Sequence, residues 1–139
     1  MDTILDASAI LAIILNEPNR EKVIALTENA TLLCPDVLSF EIGNALINLL
    51  RKQKITEDIL FKAYKNFTLI PIRSIEVDIG KALKIACKYK IYAYDAYYLE
   101  TAYRLKLPLI TFDMPMRKVG TDLNIKILGE MGEEKNESI

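Results

Sequence analysis

An α/β domain on a mainly parallel sheet is the fold class the chain predicts, and three observations predict it. Short apolar runs alternate with segments of helical spacing along most of the sequence. A length of 139 residues suits one domain. Hydrophobic residues make up 51% and charged residues 27%, which supplies a proper core and argues against disorder.

Thr3-Ile4-Leu5 reads as a buried strand ending at Asp6. Ala7 to Asn16 follows as a short, nearly all-apolar helix, buried on most sides. Glu17-Pro18-Asn19 breaks it, and Arg20 to Glu28 is helical again. Thr31-Leu32-Leu33 is a second strand, stopped by Pro35. Asp36 stands as N-cap of a long helix, Val37 to Lys52, with Leu38, Ile42, Leu46, Leu49 and Leu50 at helical spacing. Thr56 caps a helix to about Asn66, with Glu57 and Asp58 where the helix dipole favours them. Thr68 to Ile72 is a third strand, and Ser74 opens a helix to about Tyr89. A Tyr-rich segment leads into a helix from about Tyr94 to Leu105. Leu107 to Thr111 is a fourth strand, with Pro108 at its start where a missing N–H is tolerated. Ile125 to Leu128 is a fifth. The expected domain spans residues 1–128, and residues 129–139 read as a polar, acidic, frayed tail.

Composition removes several chemistries. The chain has no histidine, so Ser-His-Asp, Cys-His and His-ligated zinc mechanisms are out. GxGxxG and the Walker A pattern are absent, which leaves little support for a dinucleotide or ATP site. Cys34 and Cys87 lie in apolar surroundings and read as buried free thiols of a reducing cytosol. An acidic N-terminus does not suit a signal peptide, and Ala7 to Leu15 is too short for a membrane span, so a cytoplasmic protein is expected. The net charge is −1, but the residues from Gly129 onward hold four acids and one lysine, so the body is mildly basic.

Four acids lie in segments otherwise built for burial: Asp6, Glu41, Asp95 and Asp113. An unpaired buried charge costs several kcal/mol. With no histidine and no adjacent Lys or Arg, a shared divalent cation is the cheapest partner, and Mg²⁺ or Mn²⁺ suits carboxylate oxygen. Asp6 and Asp113 both follow a strand, so a parallel sheet puts them at one edge, where such folds bind ligands. Asp95 lies near a helix start, and Glu41 in the early turns of its helix, followed by Asn44 and Asn48 on a polar stripe. Each acid also has a plainer role: Asp6 and Asp95 as helix caps, Asp113 as a turn former. Capping alone does not account for all four together. A fifth acid, Asp78, reads as an exposed helix face beside Glu76.

Leu5-Asp6-Ala7-Ser8, Phe40-Glu41-Ile42-Gly43-Asn44-Ala45-Leu46, Tyr94-Asp95-Ala96-Tyr97-Tyr98-Leu99 and Leu109-Ile110-Thr111-Phe112-Asp113 resemble, in order and spacing, the four acidic motifs of PIN domains. The resemblance covers about Met1 to Leu128, and the compact length is most similar to VapC toxins of toxin–antitoxin pairs. It implies a three-layer α/β/α sandwich and a Mg²⁺- or Mn²⁺-dependent ribonuclease, with RNA as substrate, an antitoxin as partner and a homodimer as assembly. In that reading Asp6 and Asp95 are the primary metal ligands, and Asp113 is a third, directly or through water. Glu41 is a ligand or orients the attacking water. Ser8, Asn44 and Thr111 support the ligands or contact phosphate. Among the basic residues, Arg117 and Lys118, a few positions past Asp113, are the expected contacts to the RNA backbone. Many family members carry another acid or Asn soon after the fourth motif. Met114 to Lys118 has none, so the resemblance leaves open whether one or two metals bind.

Six of the seven tyrosines lie between Tyr89 and Tyr103; they read as core or dimer-face packing, with base stacking as the alternative. Two other readings stand beside the ribonuclease. A non-catalytic interaction module on this fold would be expected to have lost one of the acids. A haloacid-dehalogenase-like phosphatase needs a second acid where Ser8 stands.

Overall fold

The computed structural model describes residues 1–129. Apart from Gly129, the expected tail lies outside the described residues. A parallel four-stranded sheet, flanked by helices, carries the fold. In chain order the elements are β1 (Asp2–Leu5), α1 (Ala7–Ile14), α2 (Arg20–Leu26), β2 (Thr31–Pro35), α3 (Leu38–Arg51) and α4 (Glu57–Thr68). Then come β3 (Ile72–Ile75), α5 (Ile79–Tyr89), α6 (Ala93–Leu105), β4 (Leu109–Ile110) and α7 (Met114–Asp122). The strand order is β3-β2-β1-β4, with every pairing parallel. Helices α1 to α4 pack on one another, while α6 packs on α5, α7 and the strands β1 and β2.

The central strand shows why the sheet is buried. Ile4 and Leu5 are fully enclosed, and so are Leu109 and Ile110 beside them. Strands covered on both faces read as continuous apolar runs, as these do. On α3, Leu38, Ile42 and Leu46 are buried at helical spacing, while Leu49 and Leu50 are half-buried. Thr56 caps α4 as the sequence predicts, accepting from the backbone N–H of Ile59 at 3.2 Å. Among the described residues no helix is long and apolar enough to cross a membrane.

Several boundaries fall elsewhere than expected. The sheet has four strands rather than five, because Ile125 to Leu128 contributes only an isolated bridge, Leu109 to Ile127. The third strand is displaced from Thr68–Ile72 to Ile72–Ile75. Thr68 ends α4, its hydroxyl donating to the Lys65 carbonyl, while Ser74 pairs with Cys34 rather than opening a helix. That helix starts after Asp78, whose carboxyl accepts from Lys81 N–H at 3.1 Å, so Asp78 is exposed as expected but acts as a cap. Asp36 does not cap α3. Its backbone N–H donates to Ile75 O, extending the β2–β3 ladder, and Val37 takes the cap position. Cys34 is buried, but Cys87 is exposed, because α5 buries Ala82 and turns Cys87 outward. Helix α7 is absent from the sequence reading, which placed no element between Thr111 and Ile125. Its signal was present, an Asp cap followed by Pro115 in the first turn, where no N–H is needed.

Candidate active site

The sheet order creates a switch point. From β1 the chain passes to β2 on one side, whereas β4 lands on the other. Ligands of parallel α/β sheets sit at such a point, outside the carboxyl ends of the strands. Asp6 follows β1 directly, and its N–H donates to Ile110 O at 3.2 Å. Thr111 and Asp113 follow β4. Two of the four acids are therefore brought to one edge by strand pairing alone.

Asp6 is 4% exposed and accepts three hydrogen bonds. They come from Ser8 Oγ at 2.7 Å, Ala9 N–H at 3.1 Å and Thr111 Oγ at 2.5 Å. The Ala9 bond makes Asp6 the N-cap of α1, so the plain role is realised along with the unusual one. Asp113 likewise caps α7, accepting from Met116 N–H at 3.0 Å. Ser8 and Thr111 act as relays. Each hydroxyl donates to Asp6 and accepts from a backbone N–H of the loop after β4, Phe112 for Ser8 and Asp113 for Thr111, both at 3.0 Å. Thr111→Val is expected to lower stability by about 1–3 kcal/mol, since it leaves a buried carboxylate short of one donor and an amide short of its acceptor. Urea unfolding measures the loss, and Thr111→Ser should restore most of it.

Glu41 comes from the first turn of α3, and Asp95 from the first turn of α6. Asp95 does not cap its helix; Tyr92 holds that position without a side-chain bond. Among the described residues no hydrogen bond reaches the Asp95 carboxyl. Burial first, then the charges of Asp113 and Asp6, push it up to about 6. Burial also raises Asp6 and Glu41, and both feel other acids: Asp113 acts on Asp6, and Asp6 and Asp95 act on Glu41. The four acids thus share one electrostatic neighbourhood. Among the described residues no salt bridge joins any of them to a Lys or Arg.

Glu100 supplies the contrast. It is 2% exposed, yet Arg104 meets it at 2.7 Å and Asp78 N–H at 3.1 Å. That is a buried carboxylate satisfied by the protein itself, and the sequence reading did not single it out. Its signal was the Arg four residues on, at helical spacing.

Asn44 and Arg117 are the remaining candidate residues. Asn44 is exposed one turn beyond Glu41 and makes no side-chain hydrogen bond among the described residues. Arg117 is half-buried, and its guanidinium donates to the carbonyls of Thr111, Leu128 and Gly129. It ties the end of β4 to the C-terminal segment. The tyrosines divide. Tyr98 is buried, whereas Tyr92, Tyr94 and Tyr103 are exposed, and Tyr94 meets Tyr97 edge to face at 5.6 Å. Tyr98, which the sequence reading did not single out, donates its hydroxyl to Glu41 at 2.5 Å.

The donor set is all carboxylate oxygen, the chemistry of Mg²⁺ and Mn²⁺. Among the described residues no three acidic or cysteine side chains close tightly enough to hold an ion by themselves. A cation that keeps several waters and takes one or two carboxylates directly fits these residues; a closed protein cage does not.

Fold and site define a class: a parallel α/β domain with a group of acids at its switch point. The chain belongs to the PIN domain family, whose model matches residues 3–121. Similar solved structures include PAE2754 from Pyrobaculum aerophilum, at 21% identity and a TM-score of 0.65, covering 89% of this chain and 90% of that one. VapBC2 from Rickettsia felis, bound to a DNA fragment from its promoter, is 13% identical with a TM-score of 0.63, covering 92% and 98%. VapBC-1 from nontypeable Haemophilus influenzae is 20% identical with a TM-score of 0.61, covering 92% and 97%. At these identities the likeness is one of fold. Comparison with curated protein sequences returns no match.

Proposed function

We propose that this chain is a divalent-metal-dependent endoribonuclease and the toxin member of a VapBC-like toxin–antitoxin pair. One observation carries the reading. Asp6, Glu41, Asp95 and Asp113 share a neighbourhood at the switch point with no salt bridge to Lys or Arg among the described residues. Structural acids do not gather this way, because each addition raises the cost of the others. Membership of the PIN family supports nuclease chemistry. The VapBC structures among the neighbours support an antitoxin partner. RNA as substrate, a homodimer and a cytoplasmic location complete the proposal.

Asp6 and Asp95, with Asp113, would hold Mg²⁺ or Mn²⁺, and Glu41 would be a further ligand or orient the attacking water. Bound there, the ion supplies a lowered water pKa, a polarised phosphoryl oxygen and compensation for the leaving charge. Ser8 and Thr111 would hold the Asp6 carboxylate in place through the hydrogen bonds described. None of these roles needs a side chain with a pKa near 7, which agrees with a chain lacking histidine. Purified protein is expected to cleave RNA with Mg²⁺ or Mn²⁺, to stop with EDTA and to resume when metal is restored. Cleavage that persists in excess EDTA overturns the metal reading.

A further inference from the structure

We infer that Tyr98 is a positioning residue for Glu41, holding one carboxylate oxygen so that the other is oriented for the ion or the attacking water. The inference rests on the function proposed above and deepens it. Tyr98 is 2% exposed, and its hydroxyl donates to Glu41 Oε1 at 2.5 Å, across 57 residues of sequence. No described donor is bonded to Oε2. The bond joins α3 to α6, the helices that carry Glu41 and Asp95.

Three physical points give the bond a purpose beyond packing. A phenol buried beside Leu99 and Ala102 gains nothing over Phe from its ring, while its hydroxyl must be desolvated; the hydroxyl is worth keeping only for its partner. Glu41 has a long, rotatable side chain and feels the negative charges of Asp6 and Asp95. Left alone it would swing away from them toward water. A hydrogen bond from the phenol to the carboxylate, strengthened by the charge on its acceptor, opposes that swing. Tyr98 also lies one turn after Asp95 on α6, so a single helix places one carboxylate and anchors another.

Tyr98→Phe keeps the ring and removes the bond. The expected result is a kcat for RNA cleavage about 10- to 100-fold lower, the range typical of groups that orient metal-site residues. KM should stay within about twofold, and Mn²⁺ affinity, read by electron paramagnetic resonance, should fall. In the Glu41→Gln background the same change should cost nothing further in either readout. Wild-type kcat and Mn²⁺ affinity in Tyr98→Phe, or losses that multiply in the double variant, overturn the inference. Incorporation of 3-fluorotyrosine at position 98 provides a measurement with the side chain's shape retained. Its fluorine resonance should move on Glu41→Gln, and a resonance that stays in place also overturns the inference. Asp95→Asn separates the two levels. If it remains active, the proposed function fails; if it is dead while Tyr98→Phe behaves as wild type, only the role of Tyr98 fails.

Discussion

Asp95→Asn should abolish RNA cleavage, by at least about 100-fold, and at the same time raise the melting temperature. The activity loss exceeds what removal of an orienting group costs, because Asp95 is proposed to touch the ion itself. The gain in stability follows from the same carboxyl. Burial and the charges of Asp113 and Asp6 raise it from an ordinary 3.8 to about 6. Below about pH 4 the group is protonated in both the folded and the unfolded chain and costs nothing. As pH rises toward and through 6, the folded chain must hold a charge that the unfolded chain holds at no penalty, so stability is lost. Asparagine never takes that charge. The variant should therefore melt higher at pH 8, by about 3–5 °C for each kcal/mol relieved. The difference should shrink as pH falls and vanish near pH 4. Asp95 is only half-buried, so solvent screening keeps the gain small. Scanning calorimetry at both pH values tests the inversion. A variant that keeps its activity, or melts lower at pH 8, contradicts the assignment.

Metal should act on the wild type in the same direction as that mutation, and by more. Mn²⁺ bound by the folded chain alone stabilises it by about 2.7 kcal/mol at a hundred times its dissociation constant. The expected result is a melting temperature that climbs with Mn²⁺ or Mg²⁺ and returns to the starting value with EDTA. In Asp95→Asn the climb should be largely gone, since one ligand is missing and less repulsion remains to be relieved. A wild-type melting curve indifferent to millimolar Mn²⁺ would remove the ion from the site. The two experiments are linked: under the proposed function, activity and stability should trade places at Asp95, because charge left unbalanced for a cation costs stability without it.

Much of this arrangement was legible along the chain. The four acids stood out because each interrupts an apolar run, and a charge in such company is costly wherever the chain folds. The alternation of apolar runs and helical spacings predicted the parallel α/β sheet and put Asp6 and Asp113 after strands, where the structure finds them. Local chemistry also marked Thr56 as a cap. Where the reading missed, the deciding partner lay far off in sequence. Asp36 is as good a cap as Thr56, but its backbone is taken by Ile75 across the sheet. Ser74 looks like a helix start, but Cys34 draws it into a strand. Ile125 to Leu128 has the composition of a strand and pairs at only one position.

The sequence by itself determined the chemistry available: carboxylates without histidine, in segments that must be buried, on a fold that gathers strand ends at one edge. Only the tertiary structure decided what each residue was used for. It showed Ser8 and Thr111 bridging Asp6 to the loop after β4, and Arg117 committed to carbonyls at the end of the described chain. It separated Glu100, neutralised by Arg104, from Glu41, held by a phenol 57 residues away. The reason is one of range. The cost of burying a charge is set by local composition and can be read from neighbours in sequence. Its compensation depends on distances of about 3 Å between groups that only the folded chain brings together.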